Sequence, residues 1–330
     1  VLYIADTGNN RIVAATNMFG ASPVISAVTL NAAINGPIAL AAHRGNQNQF
    51  LYATTADRKL VSLEKGANNF TFTIANEKDY GQAQPIQISV NPGTDEMAVA
   101  VRSLGSSNST IDVLDQSTLG AGGTVSSFAT CTFGTHARPF GLQFIGNKIY
   151  VSDPYNKRIV KFYPGATGTF TTLQTCTEMG DLTIASGNPT YPTFLATDES
   201  SSLFVADMLQ QNIKQLSVSD SSLSATAQIV AGNNDQSLTN FTNNIVGTAA
   251  RFGRLRQAVY LNDHIYVTDQ MNKKIVSVRL SDNLVKDVRD LSAESIHPGA
   301  LTTDGTNLYF SGSSCLDYDP KRVAFTPCDL

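Results

Sequence analysis

No tryptophan occurs in this chain, nor any run of eighteen apolar residues, nor any cluster of lysine and arginine. Without a long apolar run there is no segment to cross a membrane as a helix. Charged residues make up 15% of the 330 residues, and 23 Lys and Arg against 27 Asp and Glu leave a net charge of −4 spread along the chain. That balance, with no basic run and no Trp, lacks the electrostatic footprint of a nucleic-acid binder, so nucleic acid is not an expected partner. Cysteine is scarce, with four residues, none in a CxxC pair or a Cys/His cluster, which removes the spacing signature of a structural zinc site. No low-complexity linker divides the chain, because the Ser- and Gly-rich pieces at 103–109, 116–126 and 218–225 are of loop length. No amphipathic helical pattern stands out.

What the chain has is repetition. The phrase from Leu2 through Asp6 and Arg11 to Val13 returns as Ile149 through Asp153 and Arg158 to Val160. It returns again as Ile265 through Asp269 and Lys274 to Val276, and more weakly from Leu203 through Asp207 to Ile213. Each copy is a short apolar run, an Asp, a polar turn, a basic residue in the clearer copies, and a second apolar run. β-branched and aromatic runs separated by Asn, Asp and Gly read as a hairpin. The Asp is suited to accept backbone N–H bonds at the strand end, and Asn tolerates the left-handed backbone of the reversal. Further apolar runs precede the hairpins at Pro37–Ala41, Pro85–Val90, Phe140–Phe144, Thr193–Thr197, Gln257–Leu261 and Gly299–Thr303. An inner strand, the hairpin and a less regular outer strand make a four-stranded antiparallel unit, the blade of a β-propeller. Although the length suggests two domains on average, the end-to-end repeat predicts a single domain over 1–330.

The repeat resembles that of the NHL family, whose blades carry the phrase lyVaDtgNnRI. A second phrase, Ile229–Gly232 leading through Gly247–Gly253 into the next unit, strengthens the likeness. The second unit keeps Leu51, Tyr52 and Lys59–Val61 but lacks the Asp. The third and the last keep only the strand pattern. First strands of hairpins begin near residues 2, 51, 97, 148, 203, 264 and 308, which favours seven blades, with six the alternative for this family. The first hairpin has no visible inner strand before it. Its unpaired edge is expected to be covered by an upstream segment, by the C-terminal tail or by strand addition from a neighbouring molecule.

Cys131, Cys176, Cys315 and Cys328 allow three pairings. Cys131 and Cys176 fall late in successive units, and Cys315 and Cys328 flank the last hairpin. Asn69, Asn108 and Asn240 each open an Asn-x-Thr sequon. Together these features predict a secreted, disulfide-bonded glycoprotein, with no leader visible in the sequence.

The repeated acids and bases (Asp6 with Arg11, Asp153 with Arg158, Asp269 with Lys274, and Asp207 in the weaker copy) are assigned to turns and inter-blade bonding. A ring of equivalent groups is not the single constellation that catalysis requires. Tyr3, Tyr52, Tyr150 and Tyr266 share one strand position and are assigned to packing. The resemblance implies a second possibility, because NHL-like lyases hold a channel zinc with histidines from separate blades. His43, His136 and His297 are the candidate ligands. Other propeller enzymes use a channel calcium or a carboxylate base, for which Asp198, Glu199 and Asp304 are candidates. The main expectation needs no cofactor: a scaffold binding a protein partner or building an extracellular assembly. The alternative is a metal-dependent lyase or hydrolase, with zinc or calcium in the channel.

Overall fold

The computed structural model describes residues 1–18, 22, 24–42, 50–91, 94, 96–103, 108–115, 129–135, 137–163, 177–181, 183–184, 191–218, 224–225, 227–233, 241 and 243–313. Among them there is no α-helix. The chain divides into two compact units, one of Val1–Ile149 with Phe162–Glu178, the other of Tyr150–Lys161 with Met179–Leu330.

In the first unit, the first sheet runs Leu2–Asp6, Arg11–Thr16, Val24–Ala27 as an antiparallel meander. The second runs Pro37–Ala42, Phe50–Thr55, Lys59–Lys65, Thr71–Asp79, and the incoming chain adds Thr29–Leu30 parallel to its outer edge. The third runs Ala83–Val90, Glu96–Ser103, Asn108–Asp115, Ala129–Thr135. The hairpin of Lys148–Asp153 and Arg158–Tyr163, whose residues 150–161 belong to the second unit, is the fourth.

In the second unit, the fifth sheet runs Pro192–Thr197, Ser202–Asp207, Asn212–Ser217, Ala227–Gly232. The sixth runs Leu255–Leu261, His264–Asp269, Lys274–Arg279, Leu284–Asp290, with Ile245–Val246 as a fifth strand on its outer edge. The seventh is described as the pair His297–Thr303 and Leu308–Ser313. All seven expected hairpin starts coincide with strands. The four-strand expectation is exceeded in the second and sixth sheets, where the connecting chain pairs in passing and shields an outer edge.

The second strands of the third and fifth sheets, Glu96–Ser103 and Ser202–Asp207, are buried on both faces over most or all of their length, because sheets of the same unit pack against them and alternation no longer exposes one side. Ile12, Ala14 and Val28 of the first sheet pack with Leu51, Ala53, Val61 and Leu63 of the second. Tyr52 and Leu60 pack with Met97, Val99 and Leu114 of the third. In the second unit Phe204, Ala206 and Ile213 meet Phe252, Leu255, Ala258 and Ile265. Burying one such large side chain contributes about 2–3 kcal/mol, so these contacts between sheets are the main cohesive force in each unit.

The inner strands of the second, fifth, sixth and seventh sheets each shift register near their start, between Pro37 and Ala39, Pro192 and Leu195, Leu255 and Ala258, and Pro298 and Leu301. A bulge there bends the strand as it enters the sheet. Hydroxyls near the hairpin turn also reach the start of the following inner strand. Thr7 Oγ1 donates to the Pro37 carbonyl at 2.6 Å, Ser152 Oγ to Thr193 at 2.6 Å, and Thr268 Oγ1 to Gly299 at 3.1 Å.

Candidate functional site: the hairpin-turn end of the second unit

Each repeated Asp ends the first strand of its hairpin and folds the turn beneath it. Asp153 accepts Asn156 N–H at 3.3 Å, Asn156 Nδ2 at 2.7 Å and Arg158 Nε at 3.1 Å. Asp269 accepts Asn272 N–H at 3.2 Å, Asn272 Nδ2 at 2.7 Å and Gly253 N–H at 2.8 Å. Burial pushes the Asp269 carboxyl above its ordinary value, with these N–H bonds opposing. Asp207 accepts Gln210 N–H at 3.0 Å and Tyr191 N–H at 3.2 Å. Four residues after the Asp the backbone turns left-handed, at Asn10 (φ 52°), Lys157 (58°), Gln211 (51°) and Lys273 (53°).

The bases behave differently from one another. Arg11 meets Asp6 at 2.6 Å on the surface, and Arg158 meets Asp153 at 3.1 Å. Lys274 does not pair with Asp269, as the repeat had suggested. Its ammonium reaches Asp287 at 2.6 Å and Asp290 at 2.5 Å on the outer strand, and stacks over the Phe241 ring. The reason is reach: Asp269 is already saturated by turn N–H groups, while the outer strand places two carboxylates beside Lys274 (Lys274 pairs with Asp290 in the register). Burial works against the charged ammonium, but the two carboxylates outweigh it and hold Lys274 above its ordinary value. In the fifth sheet Asn212 stands where the base is expected, and Lys214 supplies the cation instead, 3.1 Å from Asp207 and hydrogen-bonded to Gln210.

The hairpin turns of the second unit lie side by side. The fourth turn reaches the fifth inner strand through Ser152 and Thr193, and that strand's lead-in holds Asp207 and Met208 through Tyr191. Gly232, at φ +83°, lets the fifth turn approach Phe252; a Cβ there would stand 2.8 Å from both the Asn212 Cα and the Phe252 ring. Gly253 and Arg254 then bond Asp269 and Gln270 of the sixth turn. The sixth turn in turn meets the seventh inner strand, where His297 Nδ1 lies 2.8 Å from the Gln270 carbonyl.

Two residues past each Asp, the turn tip exposes a large apolar side chain: Tyr155 at 54%, Leu209 at 42% and Met271 at 49%. Sequence reasoning passed over these three, although their shared offset from the Asp was a usable signal. Beside them are Lys157, exposed, and Lys273, half-exposed, neither of whose ammoniums has an ion-pair partner among the described residues. The acids beneath are buried and already bonded.

Of the candidate metal ligands, His43 and His136 lie outside the described residues, and His297 opens the seventh inner strand, half-buried. Among the described residues no group of three His, Cys, Asp or Glu is arranged to hold a metal. The alternative carboxylates are taken up by turns at the opposite strand ends. Asp198 accepts three backbone N–H bonds from Ser200, Ser201 and Ser202, which overcome its partial burial and hold it below its ordinary value. Asp304 is likewise depressed, by Asn307 N–H first and by the Tyr309 hydroxyl at 2.7 Å. Glu199 sits beside Asp198 in the same turn at φ 63°. Cys131 lies in the outer strand of the third sheet with its side chain outside the description; Cys176, Cys315, Cys328 and Asn240 lie outside the described residues altogether. Asn69 is half-buried in a turn and Asn108 is exposed at the start of a strand.

Solved structures share the fold. Virginiamycin B lyase from Staphylococcus aureus is 14% identical, with 94% of this chain and 87% of that chain covered and a TM-score of 0.63. A chain of the nidogen/laminin complex is 14% identical, with 86% and 92% covered and a TM-score of 0.51. The fold is that of a β-propeller. A protein of unknown function from Bacteroides thetaiotaomicron is 13% identical over 76% of this chain (TM-score 0.51), and this chain spans little more than half of it, 57%. At such identities the likeness is one of fold, and that fold serves a lyase and a protein complex alike. No family model and no curated protein matches the sequence.

Proposed function

We propose that this chain is a secreted, NHL-like propeller of seven blades, one domain over 1–330, whose role is to bind a protein partner rather than to catalyse a reaction. The observation that carries the reading is the row of Tyr155, Leu209 and Met271 on adjacent turns, above carboxylates fully committed to turn hydrogen bonds. Exposed apolar groups on successive turns, with the chemistry-bearing groups beneath them occupied, suit contact more than catalysis. The even cysteine number and the sequons at Asn69, Asn108 and Asn240 support the extracellular setting.

A photo-crosslinking residue in place of Leu209, with a control in the exposed turn at Ser281, tests this in the extracellular fluid of the source. A discrete protein adduct at 209 and not at 281 is expected. Equal labelling at both, with one stoichiometric metal ion in the purified chain, would overturn it in favour of the metal-dependent lyase or hydrolase. One observation favours that second reading: His297 Nδ1 is engaged by a backbone carbonyl, which leaves Nε2 to bind, as in many metal sites.

A further inference from the structure

The charge at the turn tips says what kind of partner this surface takes. Lysine is a poor choice for a left-handed position, where Asn and Gly are far cheaper, and the first sheet does place Asn10 there. The fourth and sixth turns nonetheless place Lys157 and Lys273 at that position, at φ 58° and 53°. Backbone held in a sparsely populated region is retained where something compensates for it. Neither ammonium bonds to any described residue, so no described contact within the chain compensates for it. Both flank the apolar row: Lys157 is two residues from Tyr155, Lys273 two from Met271, and Leu209 stands on the turn between.

The described acids near this end are spent. Asp153, Asp207 and Asp269 are buried in their turns, Asp287 and Asp290 hold Lys274, and Glu294 holds Arg289 at 2.5 Å. Although the chain is acidic overall, the uncommitted charge at the fourth and sixth tips is positive among the described residues.

We propose that the row Tyr155–Leu209–Met271, flanked by Lys157 and Lys273, is a docking surface for an acidic polypeptide segment with apolar anchors. Its aromatic or aliphatic side chains would cover the three tips, and its carboxylates would meet the two ammoniums. This deepens the protein-binding reading and rests on it. Apolar contact supplies affinity at the centre, and the flanking charges select against basic partners and speed encounter.

The test selects displayed random peptides on the full-length protein. Acidic sequences carrying Leu, Phe or Tyr are expected to be enriched. K157E/K273E should weaken their binding roughly thirtyfold, and Y155S/L209S/M271S at least as much. K157N/K273N is the sharpest variant, because Asn suits the left-handed backbone: Tm should hold or rise while affinity falls about tenfold. A merely structural role for the lysines moves Tm and leaves affinity alone. Enrichment of basic or uncharged peptides, or acidic binders indifferent to these variants, overturns the proposal. So does binding only to phosphatidylserine vesicles or single-stranded oligonucleotides, and so does self-association lost in L209S. A protein adduct that persists in the charge-reversed variant leaves the protein-binding reading standing and removes this surface; no adduct at all removes the reading itself.

Discussion

The two faces of the fifth sheet are built from alternate residues of the same strands, yet they differ in kind. One face carries Phe204, Ala206, Ile213 and Val230 into an apolar cluster with the sixth sheet. The other places Asp207, Asn212 and Lys214 among Leu203, Val205 and Leu216, all buried. Seven residues after the repeated Asp, other copies have Val13, Val160 and Val276; this one has Lys214. The base has moved from the fifth position after the Asp to the seventh. Two residues along a strand is the same face, so the cation still reaches its acid but from inside the protein. The Arg11–Asp6, Arg158–Asp153 and Lys214–Asp207 pairs thus form a graded series. Their basic side chains are 51%, 23% and 1% exposed. One acid position is maintained while the depth of its partner varies, and with it the cost of losing either member.

Asp207→Ala should break this comparison most severely. It strands Lys214 without its carboxylate, for a loss of about 3–5 kcal/mol in urea unfolding; a loss under about 1 kcal/mol would show that the pair is hydrated. Phe204→Ala empties the apolar face and should cost about 3–4 kcal/mol. The double variant D207N/K214V, which restores the valine of the other copies, should lie within about 1–2 kcal/mol of wild type on either side. A deficit as large as that of D207A would assign the effect to packing, not charge. At the shallow end, Arg11→Ala should cost less than about 1 kcal/mol and lose that effect in high salt.

Titration sharpens the same contrast. Burial lowers Lys214 below the 10.5 of the free side chain, despite the Asp207 charge. In the interval between the folded value and 10.5 the unfolded chain therefore binds more protons than the folded one, so this group's contribution to stability rises with pH there. Tm of wild type minus Tm of K214Q should climb through that interval; a fall would refute the assignment. The smallest effect belongs to the exposed Asp282, which Arg279 first, and the Leu284 N–H as well, hold at about 2 against 3.8. Its contribution is present above 3.8 and fades as pH falls toward about 2, a slope that D282N should remove from the acid limb.

Local features were legible in the sequence. Apolar runs located the first strands of all seven expected hairpins, most clearly where, as in Ser202–Asp207, a strand buried on both faces must be apolar throughout; the second strand expected for the last hairpin, Lys321 to Phe325, lies outside the described residues. The Asp and the Asn-bearing turn after it located the reversals, although in the fourth and sixth turns the left-handed residue is Lys157 and Lys273 rather than the Asn expected, which bonds the Asp instead. Contacts set by pairing across strands were hidden. Lys274 finds Asp287 and Asp290, thirteen and sixteen residues ahead, only once the outer strand is in register. The exposed tips escaped notice for another reason. An apolar residue in a turn looks like noise until three turns are seen to stand together.

The hydroxyls of Thr7, Ser152 and Thr268 carry a consequence for ancestry. Each belongs to one repeat and is satisfied by the backbone of the next, so these three repeats are not self-sufficient at that end. A copying event that began or ended inside a hairpin would separate the donor from its acceptor. The heritable module therefore runs from one inner strand to the next, and its hydroxyl can be lost safely only where the following repeat has found another donor. In the second sheet the direction is reversed: the Thr55 carbonyl receives the Gln84 side-chain amide from the third sheet at 2.7 Å. The join survived there while the chemistry on its two sides changed places, and that is the repeat where Thr55 stands at the strand end in place of the repeated Asp.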